Sequence, residues 1–351
     1  MAGPAKVVEH LLAVQAQDYA GAKWALAQRS AATTDAEVDD LVNRGAILRT
    51  HVLRPTWHFV APTDLRWLLA LTAPRVHAAS GYQYRLLELD DATFRRSEDA
   101  MARALSGGVH LTRAEIGRVL GEAGIPSDGL RLGYLVMHAE LEAVICSGAR
   151  RGRRQTYALV DERVPPAAPR TRDEALEELA RRFVAGHGPA QAADLAWWSG
   201  LTMTDARRAL ELASPRLVRE THGERTFWAS DSADVSDSAE ASGRTDRPDR
   251  PGPVIHLLPN YDELLIAFRD RSDALDPSLP ADARSSESLL AHIVVRDGLI
   301  VGGWRRTLAG TSVGVALRSL VPLGDAERVA LAAEAERLGR FLGRPVVLSG
   351  A

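Results

Sequence analysis

Cysteine, lysine and long apolar runs are all scarce in this sequence. The one cysteine, Cys146, excludes a disulfide framework and a cysteine-rich zinc site. Lys6 and Lys23 are the only lysines, so arginine carries nearly all of the positive charge. No stretch approaches the roughly 20 apolar residues of a membrane span, and Glu9 and His10 interrupt the apolar core that a signal peptide needs. We therefore expect a cytoplasmic protein that does not contact a membrane.

The overall charge gives little indication of a partner. The 351 residues carry a formal net charge of -3, with 46% hydrophobic and 25% charged residues, as in ordinary globular proteins. A chain of this length has room for two to four domains. Domains that bind nucleic acid are often basic overall. A surface that binds nucleic acid would therefore have to consist of local clusters of arginine. The planar group of arginine makes two-point contacts with phosphates and guanine edges.

One pattern of elements recurs three times: a helix, a second helix with a capped start, and two short strands. Capping boxes, in which a threonine and a glutamate satisfy free backbone donors, occur at Thr34–Glu37 and Thr112–Glu115. The other predicted elements are helices at 97–105, 129–141, 173–185, 190–198 and 202–212, and strand pairs at 47–53 and 56–60, 143–146 and 157–160, and 217–220 and 226–229. This is the winged-helix order. The sequence therefore predicts an α+β fold with three tandem winged helix-turn-helix units.

The last third of the chain has a different composition. Ser230–Pro253 is rich in serine, aspartate, arginine and proline, which predicts a flexible linker or loop. Beyond it we predict strands at 255–258, 264–267, 292–295, 299–301 and 345–348, a turn at 297–298 and a helix at 325–342. These elements predict a C-terminal β-barrel-like domain. The predicted boundaries are 1–90, 91–168 and 169–230 for the winged-helix units, 231–253 for the linker and 254–351 for the last domain.

The first pattern with chemical content is Gln15-Ala16-Gln17. Leu11 and Leu12 lie on the apolar face of the preceding helix, and continuing at 100° per residue puts Gln15 in the middle of that face. Gln17 then points away, so the two amides converge only if the helix ends or distorts near Ala16. A buried glutamine needs hydrogen-bond partners. The structural alternative is a satisfied core glutamine followed by one that ends the helix.

The second pattern is the segment Arg54–Val60, whose last five residues are the predicted strand. Strand alternation places His58 on the same face as Thr56, and Trp57 on the opposite face. The pattern fits a histidine that lines a cleft or contacts a phosphate. It fits a structural histidine on a wing strand equally well.

The third pattern is a cluster of arginines, Arg150, Arg151, Arg153 and Arg154, at the predicted tip of the second wing. Such a tip suits insertion into a DNA groove or contact with phosphates, and a solvated hairpin tip is the alternative. The histidines show no metal-ligand spacing, and no glycine-rich phosphate loop is present. We therefore expect neither a metal nor another cofactor.

Four motifs together resemble the AlkZ-like winged-helix DNA glycosylases. They are Gln15-Ala16-Gln17 after an N-terminal helix, the strand that begins Arg54-Pro55-Thr56-Trp57-His58, the segment Leu257–Glu263, and Gly302-Gly303-Trp304-Arg305. The resemblance spans nearly the whole chain. It implies three tandem winged-helix units and a C-terminal barrel that form a C-shaped cleft around DNA.

The resemblance also implies an activity, which is excision of bulky N7-alkylated purines, including crosslinks. Carried onto this sequence, it implies that Gln15 and Gln17 form the catalytic pair and that Arg54, His58 and the basic wing contact DNA. The implied partner is double-stranded DNA containing alkylated purines. The expected protein is a cytoplasmic, nucleoid-associated monomer that needs no cofactor.

Glutamine chemistry is adequate for such a substrate. An amide is a poor general base, but an N7-alkylated guanine is cationic and already a good leaving group. The enzyme then needs mainly to hold a water and stabilise the positive sugar. Lys23 is the one lysine near the motif, which disfavours a Schiff-base lyase and predicts a monofunctional glycosylase. The alternatives are a non-catalytic winged-helix regulator and an inactive damage sensor.

Overall fold

The computed structural model describes residues 3–231, 252–279 and 292–350. Helices and strands mix along these ranges, which confirms the predicted α+β class. The linker predicted at 231–253 lies outside the described residues except at its ends. Of the helices in these ranges, none combines the length and apolar character needed to cross a membrane.

The chain divides into two compact units that do not follow the sequence order. The first unit consists of Met1–Val7, Gln15–Val38 and Ser230–Ala351. The second unit consists of Val8–Val14 and Asp39–Ala229. The beginning and the end of the chain therefore belong to one unit, and most of the middle belongs to the other.

The chain up to Ser230 alternates helices with short strands. Its helices are α1 (Pro4–Leu11), α2 (Tyr19–Arg29), α3 (Asp35–Asn43), α4 (Pro62–Leu86), α5 (Asp91–Leu105), α6 (Arg113–Glu122), α7 (Leu130–Leu141), α8 (Val160–Arg163), α9 (Arg172–His187), α10 (Ala192–Ser199) and α11 (Met203–Ala213). Its strands are β1 (Ala13–Gln15), β2 (Leu48–Val52), β3 (Arg54–Val60), β4 (Leu111–Thr112), β5 (Ile145–Ser147), β6 (Thr156–Leu159), β7 (Leu217–His222) and β8 (Arg225–Ser230). The strands form three small sheets, in the orders β1-β3-β2, β4-β6-β5 and β7-β8.

The predicted capping signals lie where the helices begin. The backbone N–H of Thr34 donates to Glu37 Oε2 at 2.7 Å ahead of α3, and the Thr112 N–H donates to Glu115 Oε2 at 2.7 Å ahead of α6. Thr202 accepts from the backbone of Asp205 at the start of α11. Each bond satisfies a donor that the first helical turn leaves without a partner. All three predicted hairpins are present, and β4 adds an unpredicted third strand to the second one.

The 25-residue helix α4 is not anticipated by the sequence patterns. Its first half buries Leu65, Trp67, Leu68 and Leu69, which point in several directions around the helix axis. Because buried side chains surround this half, no single apolar stripe marks it as helical. The helix carries the chain from β3 to the second repeat.

The second repeat has a core of its own. Met101 and Leu105 of α5, Ile116 and Leu120 of α6 and Leu135 of α7 are all buried at 0% exposure and pack in one apolar cluster. These residues lie at helical spacings of three or four, which is why the three helices pack against one another through one face each.

The C-terminal part of the chain forms one sheet with one long helix. Its elements are β9 (Ile255–Leu258), α12 (Glu263–Ile266), β10 (Ile293–Arg296), β11 (Leu299–Ala309), β12 (Ser312–Ser319), α13 (Asp325–Leu342) and β13 (Val346–Ser349). The five strands lie in the order β13-β12-β11-β10-β9, and β13 pairs with β12 in parallel. Asp297 and Gly298 both have positive φ, 49° and 92°, as the predicted hairpin turn requires.

Two predictions for this part are wrong. The strands in the described ranges form an open sheet with β13 and β9 at its edges, so they do not close into a barrel. The helix α13 contacts both edge strands, which buries apolar surface without closure. The strand predicted at 264–267 is instead the one-turn helix α12, because Asp262 accepts from the Leu264 N–H at 2.9 Å and caps it.

The helix end at Gly200 generates a stability prediction. Gly200 has φ +72°, and a Cβ added there would lie 2.7 Å from the Leu53 carbonyl oxygen. Gly223 has φ +62° with no atom within 4 Å of such a Cβ. Both alanine variants pay the left-handed strain of about 1–2 kcal/mol, and only Gly200→Ala also meets the backbone. Urea denaturation is expected to show a loss larger by about 1 kcal/mol or more for Gly200→Ala. Equal losses would contradict this.

Candidate functional site

The Gln15-Ala16-Gln17 motif follows a strand and not a helix. Helix α1 ends at Leu11, and Leu12 adopts φ 67°, which turns the chain into β1. Gln15 is the last residue of that strand, so its predicted position on a helix face is wrong. The predicted interruption of the helix does occur, but at Leu11 and not near Ala16. The motif therefore begins at the end of β1 and lies outside any helix, ahead of α2.

Burial distinguishes the two glutamines. Gln15 is 7% exposed, whereas Gln17 is exposed in the bend that precedes α2. Ala16 between them is fully buried. The motif therefore anchors one amide in the protein and presents the other to solvent.

A buried carboxylate holds the backbone of the motif. The Gln15 N–H donates to Glu263 Oε1 at 2.7 Å, and Glu263 is 2% exposed. Both residues belong to the first unit. A hydrogen bond to an ionised acceptor is stronger than a neutral one, and leaving its partner buried and unpaired is costly. Glu263 is therefore a positioning residue for the motif.

The segment Leu257–Glu263 connects to α2 at two further points. The indole N–H of Trp24 donates to the Leu257 carbonyl at 2.7 Å. The Arg29 guanidinium makes two bonds to the Asp262 carboxylate, at 2.6 and 2.9 Å. Paired fork-to-fork bonds of this kind fix orientation as well as distance. The two motifs that the sequence analysis singled out separately are thus one structural assembly within the first unit.

The motif Gly302-Gly303-Trp304-Arg305 packs against the same assembly. The Trp304 indole N–H donates to the Leu258 carbonyl at 2.8 Å. At Gly302 a Cβ would lie 2.5 Å from the Arg318 carbonyl oxygen, so the close pairing of β11 and β12 requires glycine there. The motif explains sheet packing and adds no reactive group.

The residues after the motif are also fixed by hydrogen bonds. Asp18 caps α2 by accepting from the Gly21 N–H at 3.1 Å. His292 Nδ1 contacts both the backbone N–H of Asn260, at 3.0 Å, and the side-chain amide oxygen of Asn260. Burial lowers the pKa of His292, with the Asp18 carboxylate acting in the opposite direction. His292 and Asn260 therefore hold each other in place through two contacts.

His58 lies in the second unit and is fully buried. Its Nδ1 donates to the Thr56 carbonyl at 3.0 Å, and its Nε2 has no hydrogen-bond partner among the described residues. Burial, followed by the charge of Arg54, holds the pKa of His58 well below its usual range. Arg54 itself lies over the Trp197 ring at 6.0 Å. A neutral, enclosed histidine agrees with the structural alternative for His58, and its contact with DNA stays a prediction.

The arginine cluster separates into two residues that form ion pairs and two that form none with the described residues. Arg150 bonds to Asp39 at 2.9 Å, and Arg151 bonds to Glu115 through both of its terminal nitrogens. Arg153 and Arg154 are exposed, and neither makes an ion pair with another described residue. The positive charge available to a partner at this tip is therefore carried mainly by Arg153 and Arg154.

Sequence reasoning overlooked Glu263. Asp262 and Glu263 entered the sequence analysis only as part of the segment Leu257–Glu263. The structure uses them separately, with Asp262 bound to Arg29 and Glu263 bound to Gln15. A glutamate beside four apolar residues at 264–267 was the available signal, because a charge within such a run needs a partner.

Comparisons with known proteins agree on one family. The family model described as DNA glycosylase AlkZ-like matches residues 8–341. A Streptomyces sahachiroi protein named "Interstrand DNA cross-link repair glycosylase" is 25% identical over 327 residues, which are 85% of this chain and 81% of that protein. The solved structure of the Streptomyces sahachiroi DNA glycosylase AlkZ is 22% identical, with a TM-score of 0.75 over 99% of this chain and 94% of that chain. That structure shows the same fold.

The Gln15–Glu263 bond generates a prediction for local order. Glu263→Ala leaves the buried Gln15 N–H without its acceptor, so we expect about 1–3 kcal/mol lower unfolding free energy. Amide hydrogen exchange in the segment that contains Gln15 should also become faster. Glu263→Gln keeps an acceptor oxygen and should lose less. Glu336→Ala, in the same unit with a side chain 72% exposed, is the control. Unchanged exchange in Glu263→Ala would contradict the positioning role.

Proposed function

The chain belongs to the AlkZ-like DNA glycosylase family, and we propose that it hydrolyses the N-glycosidic bond of N7-alkylated purines in double-stranded DNA. The proposed substrates include bulky adducts and interstrand crosslinks, because the related Streptomyces sahachiroi protein is named a cross-link repair glycosylase. Membership of an enzyme family favours catalysis over the regulator and the inactive sensor.

The observation that supports the site is the fixed backbone of Gln15. Glu263 holds the Gln15 N–H in the interior, and Gln17 is exposed two residues further on. Positioned amides contribute to catalysis when their oxygens are held where charge develops. We assign Gln15 and Gln17 as the catalytic pair on this ground.

The proposed reaction needs orientation more than it needs a strong base. A water oxygen attacks C1′ of the sugar, and the bond from C1′ to N9 of the purine breaks. The bonding electrons pass to the purine ring and neutralise its positive charge, while the water loses a proton to solvent. The Gln15 and Gln17 amide oxygens align that water and stabilise the positive charge at C1′.

The lysine that lies nearest in sequence has another role. Lys23 Nζ bonds to Asp35 Oδ1 at 2.7 Å, and its side chain is 4% exposed. Schiff-base chemistry needs an accessible neutral amine. This arrangement supports a monofunctional enzyme, which leaves an abasic site and an uncut strand.

The finer architecture is part of the proposal. We interpret the three hairpins and their preceding helices as three tandem winged helix-turn-helix units, with boundaries at 1–90, 91–168 and 169–230. The capped helices α3, α6 and α11, each followed along the chain by a hairpin, support this interpretation. A monomer that acts on DNA in the cytoplasm, at the nucleoid, completes the proposal.

Arg153 and Arg154 are the proposed phosphate contacts of the second wing. Their exposure and their lack of ion pairs within the described residues support this assignment. Arg150 and Arg151 are held by Asp39 and Glu115, so they shape the tip. Arg54 and His58 remain proposed DNA-contacting residues, with no further support than the family resemblance.

The catalytic assignment is tested by base release. Purified protein is incubated with a duplex that contains N7-methylguanine, and abasic sites are then cleaved with alkali. We expect Gln17→Ala, and the double variant with Gln15→Ala, to release the base about 100-fold more slowly or worse, because removing one preorganised polar group typically costs that much. Gln83→Ala on α4 is the matched control and should act like the unaltered protein.

The outcomes separate three explanations. Normal DNA binding with lost base release in Gln17→Ala supports the catalytic assignment. Equal activity of Gln17→Ala and the unaltered protein would place catalysis elsewhere. No release by any protein, with DNA binding intact, would overturn N7-methylguanine as a substrate and require a bulkier adduct to be tested.

The phosphate contacts are tested by salt dependence. Replacing Arg153 and Arg154 together by alanine should weaken binding to all duplex sequences alike. The slope of log affinity against log salt should fall by about 2, because each phosphate contact contributes roughly 0.9. Arg340→Ala on the helix α13, whose side chain is 70% exposed, is the control. An unchanged slope would show that these two arginines do not contact phosphate.

A further inference from the structure

A second cluster of ionisable groups lies in the second unit, apart from the glutamine motif in the sequence. His77 of α4, His138 of α7 and Glu142, the residue that ends α7, each offer one ligand atom, and these atoms lie within 4.8 Å of one another. His138 and Glu142 are four residues apart, which places them on one face of the helix. The spacing of the histidines in the sequence does not reveal this cluster, because His77 is distant in the chain and the third member is a glutamate.

Neighbouring side chains fix the orientation of both histidine rings. His138 Nδ1 bonds to Glu98 Oε1 at 2.7 Å, and His77 Nδ1 bonds to the Tyr84 hydroxyl at 2.9 Å. The His138 ring also stacks on Phe94, with 3.6 Å between ring centroids. Each Nδ1 is thus occupied, and Nε2 is the atom that either ring offers to a ligand. A carboxylate on the far nitrogen is the usual support of a metal-bound histidine.

His77 and Glu142 lie close enough to share a proton or a metal ion. Glu142 Oε1 lies 2.9 Å from His77 Nε2. The contact is an ion pair when the ring is protonated, and Nε2 makes no hydrogen bond of standard geometry among the described residues. The close approach of these two atoms requires either a proton on Nε2 or a metal ion bound by both.

We propose that His77, His138 and Glu142 bind a divalent transition metal ion, with zinc as the best match. Imidazole and carboxylate ligands together suit zinc, whereas calcium and magnesium prefer oxygen ligands alone. Bonds of 2.0–2.2 Å place the ligand atoms of a tetrahedral zinc ion about 3.4 Å apart. Glu142 Oε1 already lies 2.9 Å from His77 Nε2, and its side chain, 49% exposed, can adjust to the spacing that a zinc ion requires. Water completes the coordination.

The consequence is a metal link between elements of the second repeat. His77 comes from the long helix α4, and His138 and Glu142 come from α7, which packs in the apolar core of the repeat. Glu98 extends the link to α5. A bound ion stabilises the folded chain because the unfolded chain lacks the assembled site.

The test is metal binding by the untagged full-length protein after dialysis against a chelator. Titration with cobalt and zinc, followed by ligand-field absorption and competition with a chromophoric chelator, should give one ion per chain. Zinc should also raise the thermal unfolding midpoint. His77→Ala and Glu142→Ala should abolish both effects, and Glu98→Ala should weaken binding by about 10- to 100-fold.

Matched controls exclude binding elsewhere and loss of folding. His222→Ala and Glu122→Ala replace exposed residues of the same types and should bind like the unaltered protein. Glu142 is half-exposed, so its alanine variant should keep the midpoint of the metal-free protein. The absence of binding by the unaltered protein would overturn the proposal. Unweakened binding by both His77→Ala and Glu142→Ala would overturn it as well.

Discussion

The bond between the Gln15 N–H and the Glu263 carboxylate is the constraint on which the candidate site depends. A buried carboxylate without a partner is costly, so Gln15 and Glu263 must come together when the first unit forms. Arg29 and Asp262 join the same two segments. The position of the Gln15 backbone is therefore determined by Glu263, Asp262 and Arg29, which lie outside the motif itself.

Local structure follows from sequence where a signal is complete within a few residues. The boundaries of Asp325–Leu342 agree with the periodicity, and Thr112 with Glu115 marks the start of α6 correctly. Prediction of an element's type fails where its buried residues do not form a single stripe or face. Helix α4 is buried around much of its first half, and residues 264–267 form an apolar run too short to tell a strand from a helical turn. The barrel prediction failed because strand patterns do not reveal that a helix covers the sheet.

Site prediction has the same limit. The glutamine motif is recognisable because two amides interrupt an apolar stretch of sequence, and family resemblance gives them a proposed role. Their supporting carboxylate is 248 residues away, and no local pattern connects it to Gln15. The cluster of His77, His138 and Glu142 likewise depends on helices that meet only after folding. Partners of this kind become visible only in three dimensions.

The discontinuous first unit imposes an order on folding during synthesis. Residues 15–38 leave the ribosome early, but the remainder of their unit begins at Ser230. At about 5–20 residues per second, synthesis of the stretch 39–229 takes about 10 to 40 s, during which it has time to fold. The nascent chain therefore carries its glutamine motif exposed, and the site assembles in the final stage of translation. A chain that terminates early would fold residues 39–229 but would lack Glu263, which binds the backbone of Gln15.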